Sequence, residues 1–408
     1  MHILILIGFI FLLIFIYGLF SEKLAKYSIS GPMVFTIFGL IAGSMFDLDQ
    51  FHINSQNLIV VGEIALIAIL FTDASNISLS DFFKVYKLPV RLLFIGLPIT
   101  MALGTITAIP LFGGFEIVAL AMMAFILSPT DAALGQAVVN SPNVPVRIRE
   151  TISVESGLND GLVLPPILIC AQILKGGGSQ ELEMSVLLEF FGKQLILATL
   201  IGIVLGWLGT RLINWSVEKK YSSNLYQGLS IIAIPIIAYV VSDHFGGNGF
   251  IAAFIGGLVF SPKSERVSNT GKEFGEVISQ PLTLFVFFIF GSSIFPHFKE
   301  YFNLNVIIYA FLSLTILRMI PVLFSLRTLK IKRYKKVFIA WFGPRGIGSI
   351  LYLLIVFQMI GDTKVYDELY AVIVLTVMFS IFAHGLSAVP YANWMGKKVS
   401  EDQAEETK

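Results

Sequence analysis

An all-α polytopic membrane protein is the fold class this sequence predicts, and three observations predict it. Of 408 residues, 56% are hydrophobic and only 13% charged, which leaves far more apolar surface than a soluble domain can bury. The apolar residues fall in runs close to the ~17 to 25 residues that cross a hydrocarbon core. Basic residues gather in every second connection between those runs, the pattern of loops held on the cytoplasmic side.

The runs lie at 2–20, 28–46, 57–73, 90–110, 115–140, 150–173, 186–215, 224–243, 249–262, 273–296, 304–327, 335–360 and 367–394, thirteen in all. The first is apolar from its start with no Lys or Arg before it, which argues for a spanning helix and against a cleaved signal peptide. Alternate connections carry Lys23 and Lys26, then Lys84, Lys87 and Arg91, then Arg147 and Arg149, then Lys219 and Lys220, and then Lys263, Arg266 and Lys272. The group from Arg327 to Lys336 and the final Lys397 and Lys398 continue the series. The intervening connections hold only Lys175, Lys299 and Lys364, with acids such as Asp47, Asp49, Glu181 and Asp362. The N-terminus is therefore expected outside and the C-terminus in the cytoplasm. One miscounted run, the short 249–262 included, would break the alternation. Residues 1–394 thus form a transmembrane domain and 395–408 a short cytoplasmic tail.

A net charge of +1 gives no field that would attract nucleic acid. The single cysteine, Cys170, sits in an apolar run, so it reads as a small buried hydrophobe and excludes an intramolecular disulfide or CxxC motif. There is no HExxH, no Walker-type loop and no nucleophile elbow, so an enzyme is not expected and no cofactor is called for. Gly176-Gly177-Gly178 before Ser179 reads as a flexible loop. A cation channel is a further reading of acids in broken helices, but the chain lacks a recognisable filter loop.

Two runs are interrupted. In the fifth, Ser128-Pro129-Thr130-Asp131 separates Phe115–Leu127 from Ala132–Val139; in the twelfth, Gly343-Pro344-Arg345-Gly346 separates Val337–Phe342 from Ile347 onward. Proline removes a backbone donor and clashes with the preceding turn, so both helices should break. The breaks lie seven runs apart. That odd offset reverses direction and fits two inverted six-helix repeats, about 1–173 and 224–394, joined by a linker span at 186–215. The alternative is two unrelated proline kinks.

Charges deep in a span are costly and mark a pathway. The densest group is Glu155-Ser156-Gly157-Leu158-Asn159-Asp160-Gly161 on the sixth run. Counted from Arg149, Asp160 lies about 16 Å along a helix, near the midplane. At roughly 100° per residue, Ser156 and Asp160 share one face and Glu155 and Asn159 another. Glu155 and Asp160 therefore point apart, one expected in a structural ion pair with Arg345 and the other left facing the path. Asp131, Glu155 and Asp160 stand against Arg345 and also Arg318, whose role the sequence leaves open. A buried carboxylate without a partner takes a proton or holds a cation, and these outcomes exclude each other. Asp73, closing the third run, is expected at a cytoplasmic entrance, with an ordinary interfacial aspartate as the alternative. Glu63 has no partner that the sequence can name. His244, His297 and His384 fall near span ends and are expected to be solvated or interfacial.

These three motifs, in this order and at this spacing, resemble the monovalent cation/proton antiporter superfamily, in its sodium/proton exchanger (NhaP/NHE-like) branch. The resemblance covers essentially the whole chain. It implies a core of six helices with two crossed, unwound ones, a separate dimerisation domain, a homodimer in the cell (plasma or inner) membrane, an elevator-like movement and a part in pH homeostasis. It implies that Asp160 binds ion and proton, that Asp131, Thr130, Ser156 and the neighbouring Asn159 complete the cation site, and that Glu155 and Arg345 pair. An Asn before the aspartate, here Asn159, goes with electroneutral exchange in this family. The transported ions would be H+ and Na+ or Li+, with K+ as the rival.

Overall fold

The computed structural model describes residues 2–45, 55–75, 86–176, 184–260, 262, 265–361 and 364–406, and among these all regular structure is helical. Helices α1 (His2–Lys26), α2 (Gly31–Met45), α3 (Ser55–Ser75) and α4 (Lys87–Leu111) open the chain. The fifth is split into α5a (Ile117–Ile126) and α5b (Ala132–Val139), and α6 (Val146–Lys175) follows. Next come α7 (Met184–Glu218), α8 (Asn224–His244), the short α9 (Gly249–Val259) and α10 (Glu265–Ile289). The chain closes with α11a (Leu304–Leu314), α11b (Ile316–Ser325), α12a (Arg333–Trp341), α12b (Ile347–Ile360) and α13 (Asp367–Glu406). Each expected run contains helix. Eight stretches among the described residues are long and apolar enough to cross a membrane. Of the loop charges used above, Asp47, Asp49, Lys84, Glu181, Lys263 and Asp362 lie outside the described residues, as do Gly177, Gly178 and Ser179.

Three features add to the sequence reading. The eleventh run is also interrupted, at Thr315, between α11a and α11b. Neither proline nor glycine stands at the break, and the short helix after it carries Arg318, described below. Turns of π-helix, at Leu92–Gly96 in α4 and Phe290–Ile294 after α10, leave no trace in apolar periodicity. The segment set apart as a tail at 395–408 continues α13 without a break to Glu406. It is tied down by Lys332 Nζ, 2.9 Å from an Asp402 oxygen, and by the Tyr334 hydroxyl, which donates to the same carboxylate.

The helices sort by packing into two groups. One comprises α4, α5, α6, α11, α12 and α13; the other comprises α2, α3, α7, α8, α9 and α10. They meet along a seam where α6 and α12b face α3 and α9, with Val154 and Leu351 packed among Leu66, Leu70, Phe250 and Phe254. The fit is close because α6 presents glycines there. A Cβ on Gly157 would come within 2.0 Å of the Phe254 ring, and one on Gly161 within 2.2 Å of Ile251. Helices α1, α7 and α8 carry many large apolar side chains on exposed faces, such as Phe11, Phe15, Trp207, Leu212 and Val240. In water that surface would be unfavourable by ~25 cal/mol per Å2; against lipid it costs nothing.

Candidate functional site

The two breaks expected from proline lie side by side. Pro129 ends α5a, and the chain runs extended through Asp131 before α5b begins. Across from it, Phe342 to Gly346 separate α12a from α12b. The Asp131 amide donates to the Pro344 carbonyl at 2.8 Å, so backbone joins backbone. Broken helices leave amides and carbonyls without partners in a region that water cannot reach, and each such group is costly. Here side chains take them up. Ser349 donates to Ile126 O (2.9 Å), Arg345 donates to Ser128 O and to Pro129 O (2.6 Å to the latter), and Ser156 donates to Thr130 O (2.6 Å).

Asp131 serves the other polarity. Its Oδ1 accepts from Ala133 N (2.6 Å) and Leu134 N (3.1 Å), capping α5b, while Oδ2 accepts from Ile347 N at the start of α12b. One carboxylate thus sits at two helix N-termini, where the macrodipoles favour negative charge. Gly346 makes room, since a Cβ there would fall 2.0 Å from Asp131 Oδ2. The sequence placed Asp131 among the cation ligands. With both oxygens engaged by backbone amides, its geometry in this structure is that of a cap.

The expected pair between Glu155 and Arg345 is replaced. Glu155 is held by Arg318 in a two-point contact, with Nη1 and Nη2 donating at 2.6 and 2.9 Å to the two carboxylate oxygens. Both residues are 3% exposed. The interruption at Thr315 starts the short α11b that carries Arg318, and Gly343 lets the guanidinium through: a Cβ there would lie 2.3 Å from Arg318 Nε. Arg345, fully buried, is committed to the Ser128 and Pro129 carbonyls of the break after α5a instead, and its own amide donates to Ser380 Oγ at 2.6 Å. Arg318 uses the planar fork of its guanidinium to bond two acceptors at once, whereas Arg345 reaches both carbonyls through Nη1 alone.

Asp160 is treated differently. It is 3% exposed in the middle of α6, and among the described residues no basic side chain pairs with it. Its backbone carbonyl accepts from Tyr352 OH at 2.9 Å, and its carboxylate occupies space left by Gly348, whose Cβ would fall 2.6 Å from Oδ1. Asn159 donates through Nδ2 to Thr130 Oγ1 at 2.9 Å, which leaves its buried Oδ1 with no donor. Around the break there are thus an unneutralised carboxylate, an open amide oxygen and the Thr130 and Ser156 hydroxyls, all hard oxygen donors. Ser156 and Asn159 meet at Thr130, although the helical wheel put them on different faces.

Asp73 is half-buried at the end of α3, within electrostatic reach of Asp131 and of Glu276. Glu276 was not singled out by the sequence, though it lies within the run at 273–296. Glu63 accepts from the Tyr239 hydroxyl at 3.2 Å. His384 is not interfacial: it is 1% exposed within α13, where its ring bonds Ser380 and, at 3.0 Å, the Trp341 carbonyl that ends α12a. His244 and His297 are exposed, and Cys170 is buried. Tyr352, Ser380 and Ser349 were missed because one hydroxyl in an apolar helix carries no signal until its partner is known.

The family model described as "Sodium/hydrogen exchanger, transmembrane" matches residues 9–394. The K(+)/H(+) antiporter NhaP of Alkalimonas amylolytica is 27% identical over 97% of this chain and 67% of its own length. The K(+)/H(+) antiporter NhaP2 of Shewanella sp. (strain MR-4) is 24% identical over 90% of this chain, which spans 63% of that relative. The Na(+)/H(+) antiporter 2 of Zygosaccharomyces rouxii is 26% identical over 58% of this chain and 31% of its own length. Among solved structures, the sodium proton antiporter MjNhaP1 of Methanocaldococcus jannaschii at pH 8 superposes with a TM-score of 0.77 at 20% identity, covering 98% of this chain and 99% of the other.

Proposed function

Because this chain belongs to the sodium/hydrogen exchanger family of integral membrane proteins, we propose that it exchanges one monovalent cation for one proton at Asp160. The observation that carries the proposal is the contrast on α6: Glu155 is neutralised by Arg318, while Asp160, equally buried, has no basic partner among the described residues. Such a carboxylate is stable only with a proton or a cation. Because the two compete for it, exposing it alternately to each side couples their flows. Asn159 contributes an amide in place of a second acid, so one titrating group serves each cycle and the exchange is electroneutral. Thr130 and Ser156 supply further oxygens around the ion, while Asp131 holds the break beside it.

Thirteen crossings form two inverted repeats, about 1–173 and 224–394, with α7 as the linker. The N-terminus lies outside, the C-terminus lies in the cytoplasm, and the cell membrane is the site of action. The group containing the breaks slides like an elevator along the seam with α3 and α9, and a homodimer forms through the apolar faces of the other group. Asp73 and Glu276 draw cations toward the site.

Sodium or lithium is the first assignment. Potassium is the second, favoured by the named K(+)/H(+) relatives, which align over 90% or more of this chain, whereas the named sodium relative aligns over 58%. Purified protein in proteoliposomes with an acid-quenched dye, given sodium, lithium, potassium and rubidium in turn, separates the two. Asp160→Asn run beside it should give no exchange with any ion; a wild-type rate from that variant sinks the assignment. Clamping the voltage with valinomycin should leave the rate unchanged, and a strong voltage dependence would rule out the one-for-one stoichiometry.

A further inference from the structure

One hydrogen bond across the seam joins the moving and the static group beside the ion site. Pro165 lies inside α6 and has no N–H, so the Gly161 carbonyl, four residues before it, lacks the intrahelical donor it would otherwise have. That carbonyl follows Asp160 directly and faces α9. It is met by Asn248 at the start of α9, whose Nδ2 donates to it at 3.0 Å. The rest of Asn248 is anchored on its own side of the seam. Its Oδ1 accepts from Ile251 N at 3.1 Å as the α9 cap, and its backbone amide donates to Gln194 O of α7 at 3.2 Å. Asn248 is 3% exposed, so water does not stand in for the amide.

We propose that Asn248 is a positioning residue, a latch that holds α6 in the register seen here by filling the acceptor that Pro165 vacates. Any slide of α6 past α9 separates Nδ2 from Gly161 O and leaves a donor and an acceptor unpaired in an apolar seam. The glycines at 157 and 161 let α6 approach α9 closely enough for the bond to form, with the Phe254 and Ile251 side chains of α9 seated against them. The latch therefore stabilises one of the two access states and sets their ratio, acting through the carbonyl next to Asp160 without touching the ion.

This inference rests on the exchange reading and its sliding motion. The test is cation self-exchange in proteoliposomes, with sodium and with potassium, measuring apparent half-saturation from each membrane face. Apparent affinity at a face scales with the fraction of protein open to it, so the ratio of the two values follows the ratio of states. Asn248→Ser keeps the α9 cap but cannot reach Gly161, and should shift that ratio roughly three- to tenfold. Asn248→Asp keeps the cap and the shape but has no donor, and should shift it the same way. Pro165→Ala returns an intrahelical donor to Gly161 O, and in that background Asn248→Ser should move the ratio by less than about twofold.

An unchanged ratio in Asn248→Ser and Asn248→Asp with exchange intact overturns the latch, as does an equal shift with and without Pro165. A loss of helix stability alone would lower the rate at both faces and leave the ratio in place, which also counts against it. If the unmodified protein exchanges neither ion, the exchange reading has failed instead.

Discussion

Two carboxylates on α6, Glu155 and Asp160, stand five residues apart and are buried to the same 3% exposure, yet they have opposite surroundings. Glu155 meets a guanidinium through two short hydrogen bonds. Asp160 meets a tyrosine at its backbone, a glycine that makes room, and no positive charge among the described residues. Burial by itself therefore does not make an acid functional; what separates the two is whether the fold brings a cation of its own.

The contrast can be broken most severely at its functional end. Asp160→Asn should abolish exchange while leaving the melting temperature of the purified protein unchanged or higher, because the acid it removes has no ion pair to lose. A clear fall in melting temperature would show that Asp160 is structural. Arg318→Ala is the complementary change. It should destabilise the protein by about 3–5 kcal/mol, since Glu155 is left buried and uncompensated, and thermal or denaturant unfolding in detergent reads this directly. Replacing both, as Glu155→Leu with Arg318→Met, should recover most of that loss. If the double variant is as unstable as the single one, the pair also holds the α11 interruption.

A third acid sharpens the comparison. Asp131→Asn retains one acceptor but loses the charge at two helix N-termini and must turn a donor toward backbone amides. It should cost about 1–3 kcal/mol of stability, between the other two acids, and unfolding midpoints for the three variants should rank in that order. The smallest effect belongs to an ion pair outside the buried core. Lys332→Ala removes the contact with Asp402, and with Lys332 46% exposed the change in stability should stay within about 0.5 kcal/mol. A loss as large as that of Arg318→Ala would mean that the end of α13 is a structural brace.

Much of the site was legible because the chemistry was local. Pro129 and Pro344 had to break their helices, and Glu155 and Asp160 had to share one helix, whatever surrounded them. The partner choices were not legible. Arg345 looked the natural partner of Glu155 because both lay near a break, but proximity in sequence to a break does not give direction. The carbonyls of the break after α5a claimed Arg345, and Gly343 opened a way for Arg318. His384 was misplaced for a related reason: counting from the ends of an apolar run treats every polar residue near an end as wet, whereas α13 continues to Glu406 and leaves this ring inside.

By itself, then, the sequence determined the membrane, the helical class, the two breaks and the acid-rich turn of α6, because composition, apolar length and proline act on the chain locally. The tertiary structure alone decided which acid is neutralised and which is left open. Ion pairing depends on where a side chain from a distant helix arrives, and small residues such as Gly343, Gly346 and Gly348 shape that space without showing in any periodicity.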